Sequence, residues 1–350
     1  MNSTRERASR PRVDWYVACV SKALNSGPIR SVIDGTPLVL FRSEDGTPGA
    51  LLDRCPHRNA PLSRGSVEKG ELQCEYHGWR FDTGGRCMHA AGILPEKIVR
   101  ACHATSFAIR EQQGFIWVAS LPDTQPSQDP FRFSYIGSPG YSTDIEVLDA
   151  DGSVHAVAEN ALDVPHTMYL HGGFFRQTGG RRIEREVEIR NYGSRVEAEY
   201  FGEERPAGLA GLILAPGGGT VRHVDQFILP SVTMVDYWLG EKTHVNVTVA
   251  LTPVQEFRTR LYAVVSFRLP IPTFLVKPFL RRLFLRIFRQ DADVLACQSE
   301  NIRLFGEERF TTTEADTLGP EIARLLKSAE TESEVKTAQA PVVKRTKIVL

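Results

Sequence analysis

The stretch from Cys55 to His77 constrains this chain more than any other. It holds Cys55-Pro56-His57 and, after sixteen intervening residues, Cys74-Glu75-Tyr76-His77. Each short loop pairs one soft thiolate with one imidazole, so two such loops facing each other close a four-ligand metal site. Structural zinc sites also use two Cys and two His, but usually as a cysteine pair followed by a histidine pair. Here each loop mixes the types, which suits a 2Fe–2S cluster with two thiolates on one iron and two imidazoles on the other. A zinc-structured binding module is the rival on ligand inventory. Pro56 stiffens the first loop, and Gly78 lets the backbone turn sharply after His77.

A chain of 350 residues has room for two domains, each with its own core. Lys plus Arg and Asp plus Glu balance at 42 each, so no net field argues for nucleic acid or another polyanion. The polar, basic start MNSTRERASRPR has no apolar run behind it, and neither a secretory signal nor a membrane anchor is expected. Six Cys in a chain this long do not make a disulfide scaffold. Cys19, Cys87, Cys102 and Cys297 are expected to be small buried apolar residues, and a reduced cytoplasm fits this usage.

Short strands joined by turns fill the first third. Leu38–Phe41 and Ala50–Leu52 flank the turn-rich Ser43-Glu44-Asp45-Gly46-Thr47-Pro48 and predict a hairpin that delivers Cys55 just past its second strand. A second hairpin is expected around Gly84-Gly85, and a closing strand at Gly114–Val118. Residues 126–140, dense in Pro, Ser, Asp and Gly, predict a linker. Beyond it, a strand over 141–149 and a helix over 154–162 precede six alternating stretches, at 185–190, 195–201, 221–229, 232–239, 244–251 and 261–269. These predict an antiparallel sheet with one wetted face. A long helical pattern follows from about Phe274 to Phe305. The last residues, 327–350, are charged and short of aromatics, and a disordered tail is expected. Pro216-Gly217-Gly218-Gly219-Thr220 lacks the Lys and the spacing of a phosphate loop, so a sheet turn is expected there.

The second half also holds Asn160-Ala161-Leu162-Asp163-Val164-Pro165-His166, with His171 five residues on. Two His and one carboxylate on one face of an iron leave positions open for O2. A His pair at this spacing is weak evidence alone. Helical phase supplies a third candidate: Leu280, Phe284, Ile287, Phe288, Asp291, Val294, Leu295 and Gln298 share one stripe, which puts Asp291 on the inward face. A carboxylate there is costly unless paired or metal-bound. Asp293 falls beside Arg286 and Arg289 and reads as a solvated ion-pair partner. Only this phase separates the two.

CPHR followed by CEYHGWRFD resembles the signature of Rieske iron–sulfur domains, and N-x2-D-x2-H-x4-H resembles the iron site of Rieske non-haem iron oxygenase large subunits. The resemblance spans most of the chain and implies an α+β protein of two domains. These are an all-β Rieske 2Fe–2S domain over 1–125 and, over 141–326, a catalytic domain of antiparallel sheet plus helices (helix-grip, START-like) with a mononuclear Fe(II). It implies Cys55, His57, Cys74 and His77 as cluster ligands, and His166, His171 and Asp291 as iron ligands. It also implies a homotrimer in which Asp163 joins His77 of a neighbouring copy to His166, as an orienting carboxylate would.

The implied activity is that of a terminal oxygenase using O2. The chain carries no flavin or nicotinamide fingerprint, so electrons from NAD(P)H are expected through a separate reductase or ferredoxin. The N-x2-D spacing resembles the monooxygenase and demethylase branches. The apolar–basic segment 277–289, together with Phe174-Phe175 and Phe227, predicts a hydrophobic, polycyclic substrate such as a sterol or terpenoid. The alternatives are O-demethylation of a small aromatic acid, or an electron carrier with an inactive second domain. Segment 277–289 reads first as a core-packed helix with a basic outer face, and second as a helix resting peripherally on a membrane surface.

Overall fold

The computed structural model describes residues 12–171, 183–203, 221–331 and 340–349. They form two compact units. One comprises Val13–Arg132 with Thr252–Glu256; the other is built on Phe133–Leu251 and the chain from Phe257 onward.

The first unit is all β, with short 3-10 turns. Its strands are β1 (Trp15–Val20), β2 (Ile29–Ile33), β3 (Thr36–Arg42), β4 (Pro48–Leu52), β5 (Ser66–Glu68), β6 (Glu71–Gln73), β7 (Arg80–Phe81), β8 (Cys87–His89), β9 (Phe107–Gln112) and β10 (Phe115–Pro122). They make three antiparallel sheets, ordered β1-β10-β9, β2-β3-β4 and β5-β6-β7-β8. The expected hairpin is β3–β4, with Leu40 opposite Ala50. Its turn forms because the Asp45 carboxylate accepts the Thr47 N–H at 3.0 Å while Gly46 takes φ +85°. The second expected hairpin is β7–β8, where Phe81 faces Cys87. Val39, Phe41, Leu51, Leu72 and Phe81 are fully buried in one cluster that also encloses Cys55 and Cys74. The ligand loops therefore rest on a packed base.

The described residues of the second unit form an open eight-stranded antiparallel sheet. Its strands are β11 (Ser142–Ala150), β12 (Glu184–Asn191), β13 (Arg195–Tyr200), β14 (Val221–Ile228), β15 (Val232–Leu239), β16 (Thr243–Gln255), β17 (Arg258–Arg268) and β18 (Val342–Val349), in the order β11-β17-β16-β15-β14-β13-β12-β18. Among the described residues four helices accompany it: α1 (Val154–Leu162), α2 (Thr167–Leu170), α3 (Thr273–Phe305) and α4 (Gly319–Thr331). Alternating residues of the central strands, with Leu295 of α3 and Ile322 and Leu325 of α4, make the main core. Pro278, early in α3, removes one backbone donor, and the helix continues past it to Gly306, which ends it in the left-handed region at φ +77°.

Several expectations change. Residues 133–140 belong to the second unit: Tyr135 stacks on Tyr141, and Tyr141 Oη lies 2.7 Å from His244 Nδ1. The sheet is not wetted along its whole outer face, because His244, Asn246 and Thr248 of β16 are buried and joined to Asp236 in a hydrogen-bonded chain. Polar side chains there mimic an exposed face in the sequence, but they satisfy one another under the aromatic cover.

The tail is not disordered where described. α4 runs to Thr331, and β18 pairs with β12 over eight residues. Its charges complement that neighbour, with Lys347 on Glu184 and Arg345 on Glu188, while Ile348 enters the core. Cys297 and Val294 are exposed and Cys102 is half-buried, so these three are not core residues. The stretch Pro216–Thr220, where a sheet turn is expected, and Phe174-Phe175 lie outside the described residues. Among the described residues, no helix is long and apolar enough to cross a membrane.

Candidate active site

The first ligand loop leaves β4 and closes on itself, with Cys55 N–H donating to Ala60 O at 2.8 Å and Asn59 N–H to Cys55 O at 2.9 Å. The second loop repeats the device: Cys74 N–H donates to Trp79 O at 2.8 Å and Gly78 N–H to Cys74 O at 3.0 Å, with Gly78 at φ +67°. The loops meet. The His57 and His77 rings lie edge to face at 4.5 Å, and His57 stacks on Trp79 at 4.7 Å. Cys55 and Cys74 are both buried, and their thiols lie within hydrogen-bonding reach of each other. Burial pushes the Cys55 thiol up to about 11, and burial with His77 and Arg58 nearby lowers the His57 imidazole.

These sulfurs are poor places for neutral thiols to serve chemistry. They are good places for thiolates neutralised by a metal. His57 Nδ1 is buried without a hydrogen-bond partner, as a ligand nitrogen aimed at a bound group would be. The four-residue donor set thus fits a 2Fe–2S cluster. His77 and Tyr76 are exposed, which leaves this edge accessible to a partner protein.

In the second unit, Ser153 caps α1 by accepting the Ala156 N–H at 3.1 Å, and Asp163 ends the helix. His166 and His171 flank the single turn α2, so their five-residue spacing brings the rings together edge to face at 5.1 Å. Asp291 arrives from α3 on its inward face, as the phase argument requires, whereas Asp293 is exposed. The donor atoms of His166, His171 and Asp291 all lie within 4.8 Å of one another. His171 Nε2 is 3.0 Å from Asp291 Oδ1, and His166 Nε2 is 3.5 Å from the same oxygen.

Gln290, which sequence reasoning missed, decides the chemistry of this cluster. Its amide oxygen lies 3.0 Å from His171 Nδ1 and accepts that N–H. In the neutral imidazole, the form a metal binds, the Nε2 of His171 then carries its lone pair toward Asp291 Oδ1, which is itself buried without a hydrogen-bond donor. Electron pairs converging on one point fit a cation. The signal for Gln290 was its place beside Asp291, but a polar residue adjacent to a candidate ligand is too common to single out.

Asp163 approaches the other histidine. Its carboxylate accepts the His166 N–H at 3.1 Å and lies 3.3 Å from Nδ1, off the hydrogen-bond direction. Burial opposes a charged imidazole, but Asp163 and Asp291 together carry the His166 pKa up to about 9. Burial likewise opposes the Asp291 charge, yet the two histidines hold it below the usual carboxylate range. Glu159 is no part of the cluster; burial raises its pKa.

The triad opens on a chamber of about 210 Å³ between the sheet and α3. Val235, Val247 and Val249 line the sheet side, and Leu280, Phe284 and Phe288 the helix side; Asn160 and Thr167 add polar atoms beside the histidines. Phe227 is buried in the core and does not line it. Of the remaining histidines, His223 and His244 are buried against Asp225 and Asp236, and His103 accepts the Cys87 N–H.

An all-β unit with mixed Cys/His loops, followed by a sheet-and-helix unit in which two histidines and a carboxylate converge, defines a two-centre metalloprotein class. The Rieske [2Fe-2S] domain model matches residues 14–100, and the model of the vanillate O-demethylase oxygenase C-terminal domain matches residues 150–332. The chain belongs to the Rieske non-haem iron oxygenases, in the branch carrying that C-terminal domain.

The oxygenase component of dicamba O-demethylase from Stenotrophomonas maltophilia is 33% identical over 230 residues, which is 64% of this chain and 62% of that protein. The vanillate O-demethylase oxygenase subunit of a Pseudomonas species is 28% identical over 54% of this chain and 51% of its own length. The aligned region thus spans less than two thirds of either relative. The crystal structure of dicamba monooxygenase bound to dicamba superposes with a TM-score of 0.77 at 25% identity, covering 92% of this chain and 98% of that one.

Proposed function

We propose that this chain is the terminal component of an oxygenase system, oxidising a C–H bond of a small aromatic substrate, with oxidative demethylation as the favoured outcome. The observation that carries this reading is the convergence of His166 Nε2, His171 Nε2 and Asp291 Oδ1 at one end of an apolar chamber. When bound, the cluster supplies single electrons and the mononuclear iron supplies O2 activation. Cys55, His57, Cys74 and His77 are the proposed cluster ligands.

The chain's own residues do the rest. Gln290 fixes the tautomer of His171, and Asp163 holds His166 by its backbone and beside its ring. The aliphatic walls exclude water from the reacting carbon, and Asn160 and Thr167 offer polar contacts next to the metal position. Electrons come from a separate reductase or ferredoxin; this rests on the absence of a nicotinamide or flavin motif and on relatives named as oxygenase components. The family resemblance supports a homotrimer in which Asp163 faces His77 of an adjacent copy.

A chamber of about 210 Å³ lies below the ~300–1,000 Å³ usual for drug-sized ligands, so a sterol or terpenoid is not supported. The apolar face of α3 suggested a large substrate, but much of that face is filled by contacts with the sheet. One- or two-ring aromatics fit better, and relatives named for vanillate and dicamba favour a methoxyarene. The test is O2 uptake and formaldehyde release by the iron-loaded protein with a surrogate reductase and a panel of methoxyarenes. Substrate-dependent uptake with formaldehyde is expected; no uptake with any member overturns the reading.

A further inference from the structure

We propose that the outward face at the start of α3 docks on an anionic lipid surface. Phe274, Leu275 and Phe279 enter the headgroup boundary, and Arg282 and Arg289 meet the lipid phosphates. The inference goes beyond the oxygenase reading and depends on neither metal centre.

A helix packed on a sheet gives one face to the core and the other to water, and polar residues normally fill the outer one. The first turns of α3 depart from that rule. Phe274 is 73% exposed, Leu275 64% and Phe279 43%, and Ile271 just ahead of the helix is exposed as well. The core is served by other residues of the same turns: Leu280 and Leu283 are buried, and with Phe284 they line the chamber. Single apolar residues scattered on a surface are ordinary, but three within six residues make a patch.

Charge says what the patch meets. Between Leu269 and Gln290 the chain carries five basic residues, Lys277, Arg281, Arg282, Arg286 and Arg289, and no acidic one. Lys277 Nζ lies 2.8 Å from Asp144 Oδ1, and Arg281 pairs with Glu146, so these two brace α3 against the edge strand β11. Arg282 and Arg289 are turned to solvent. At about 100° per residue they fall within about 40° of Leu275 around the helix, and Arg289 lies ~21 Å along it. An apolar tip followed by a row of guanidiniums is the pattern of a helix lying in the interfacial plane of a membrane. Anionic headgroups supply the opposing charge, and a fluid surface accepts protruding rings without a shaped pocket.

The far end of the same helix supplies the contrast. Leu304 and Phe305 are at least as exposed, but there Arg303 and Arg309 are offset by Glu300, Glu307 and Glu308. An anionic surface therefore attracts the first end and not the last. Docking at the first end holds the chamber about one helix diameter, ~10 Å, from the lipid, into which apolar arenes partition from water.

The test is co-sedimentation of the full-length protein with vesicles of phosphatidylcholine alone, or of phosphatidylcholine and phosphatidylglycerol in equal parts. The wild type is expected to bind the anionic vesicles about tenfold more tightly than the neutral ones, and to lose that preference at high salt. Phe274→Ser with Leu275→Ser is expected to weaken binding by about tenfold or more. Arg282→Gln with Arg289→Gln is expected to weaken it about thirtyfold on anionic vesicles and to leave neutral ones unchanged. Phe305→Ser is expected to bind as wild type does. The proposal is overturned if wild type stays in the supernatant with anionic vesicles, if the Phe274/Leu275 pair of changes has no effect, or if Phe305→Ser weakens binding equally. Sedimentation without lipid covers the remaining occupant. A particle mass that falls in the Phe274→Ser, Leu275→Ser protein, with wild type ignoring vesicles, would assign this face to a second copy of the chain and overturn the lipid assignment. Turnover enters none of these readouts, so the oxygenase reading stands or falls separately.

Discussion

The two candidate metal sites are assembled in opposite ways. In the first unit, the four candidate ligands come from two loops within one stretch of 23 residues, and each loop is closed by its own backbone hydrogen bonds. In the second, two histidines flank one helical turn, but the carboxylate comes from a helix 120 residues later. A local site is specified by spacing. A distributed site is specified by tertiary packing, and needs neighbours such as Gln290 and Asp163 to hold its geometry.

The largest effect tests whether the two sites are independent. Cys74→Ser is expected to abolish the visible colour, the acid-labile sulfide and all turnover, while metal still binds at the triad; loss of both metals would show the units to be coupled. Next is the carboxylate. Asp291→Ala is expected to lose the mononuclear metal and turnover while keeping sulfide, whereas Asp293→Ala, altering an exposed residue, stays close to wild type in metal analysis. The reverse pattern would move the ligand by two residues.

Gln290→Leu is a smaller change. Removing the acceptor on His171 is expected to weaken metal affinity about 10–100-fold with the fold intact, measured by competition with a chelator. Unchanged affinity would mean that the distributed site does not need its supporting residue.

The smallest effect concerns pH. His223 faces Asp225, Glu203, Tyr200 and Tyr237; burial works against its charge, but the two carboxylates carry its pKa up to about 9. A histidine holding its proton more tightly when folded contributes stability that is complete below its ordinary pKa of about 6.5 and is lost as pH rises through about 9. Thermal unfolding of wild type should therefore fall by a few degrees more between pH 7 and 10 than that of His223→Gln. Equal slopes would count against the ionised cluster.

The same contrast explains what could be read from the sequence. The Cys and His loops were legible because their ligands sit within three or four residues of each other. The strands were legible from alternation, and Asp291 from helical phase. Gln290 was not, since its role depends on which ring ends up beside it. β18 was misread for the same reason: Lys344, Arg345 and Lys347 resemble a solvated tail until Glu184, Glu186 and Glu188 are placed opposite them. His244 and Asn246 read as a wetted face, and only the tyrosines packed above His244 show otherwise.

The proposed chemistry needs two distinct inorganic centres in one chain. Iron and acid-labile sulfide analysis of anaerobically prepared protein tests this most directly. About three irons and about two sulfides per chain are predicted, from one 2Fe–2S cluster and one mononuclear site. A colourless protein containing zinc and no sulfide would contradict it.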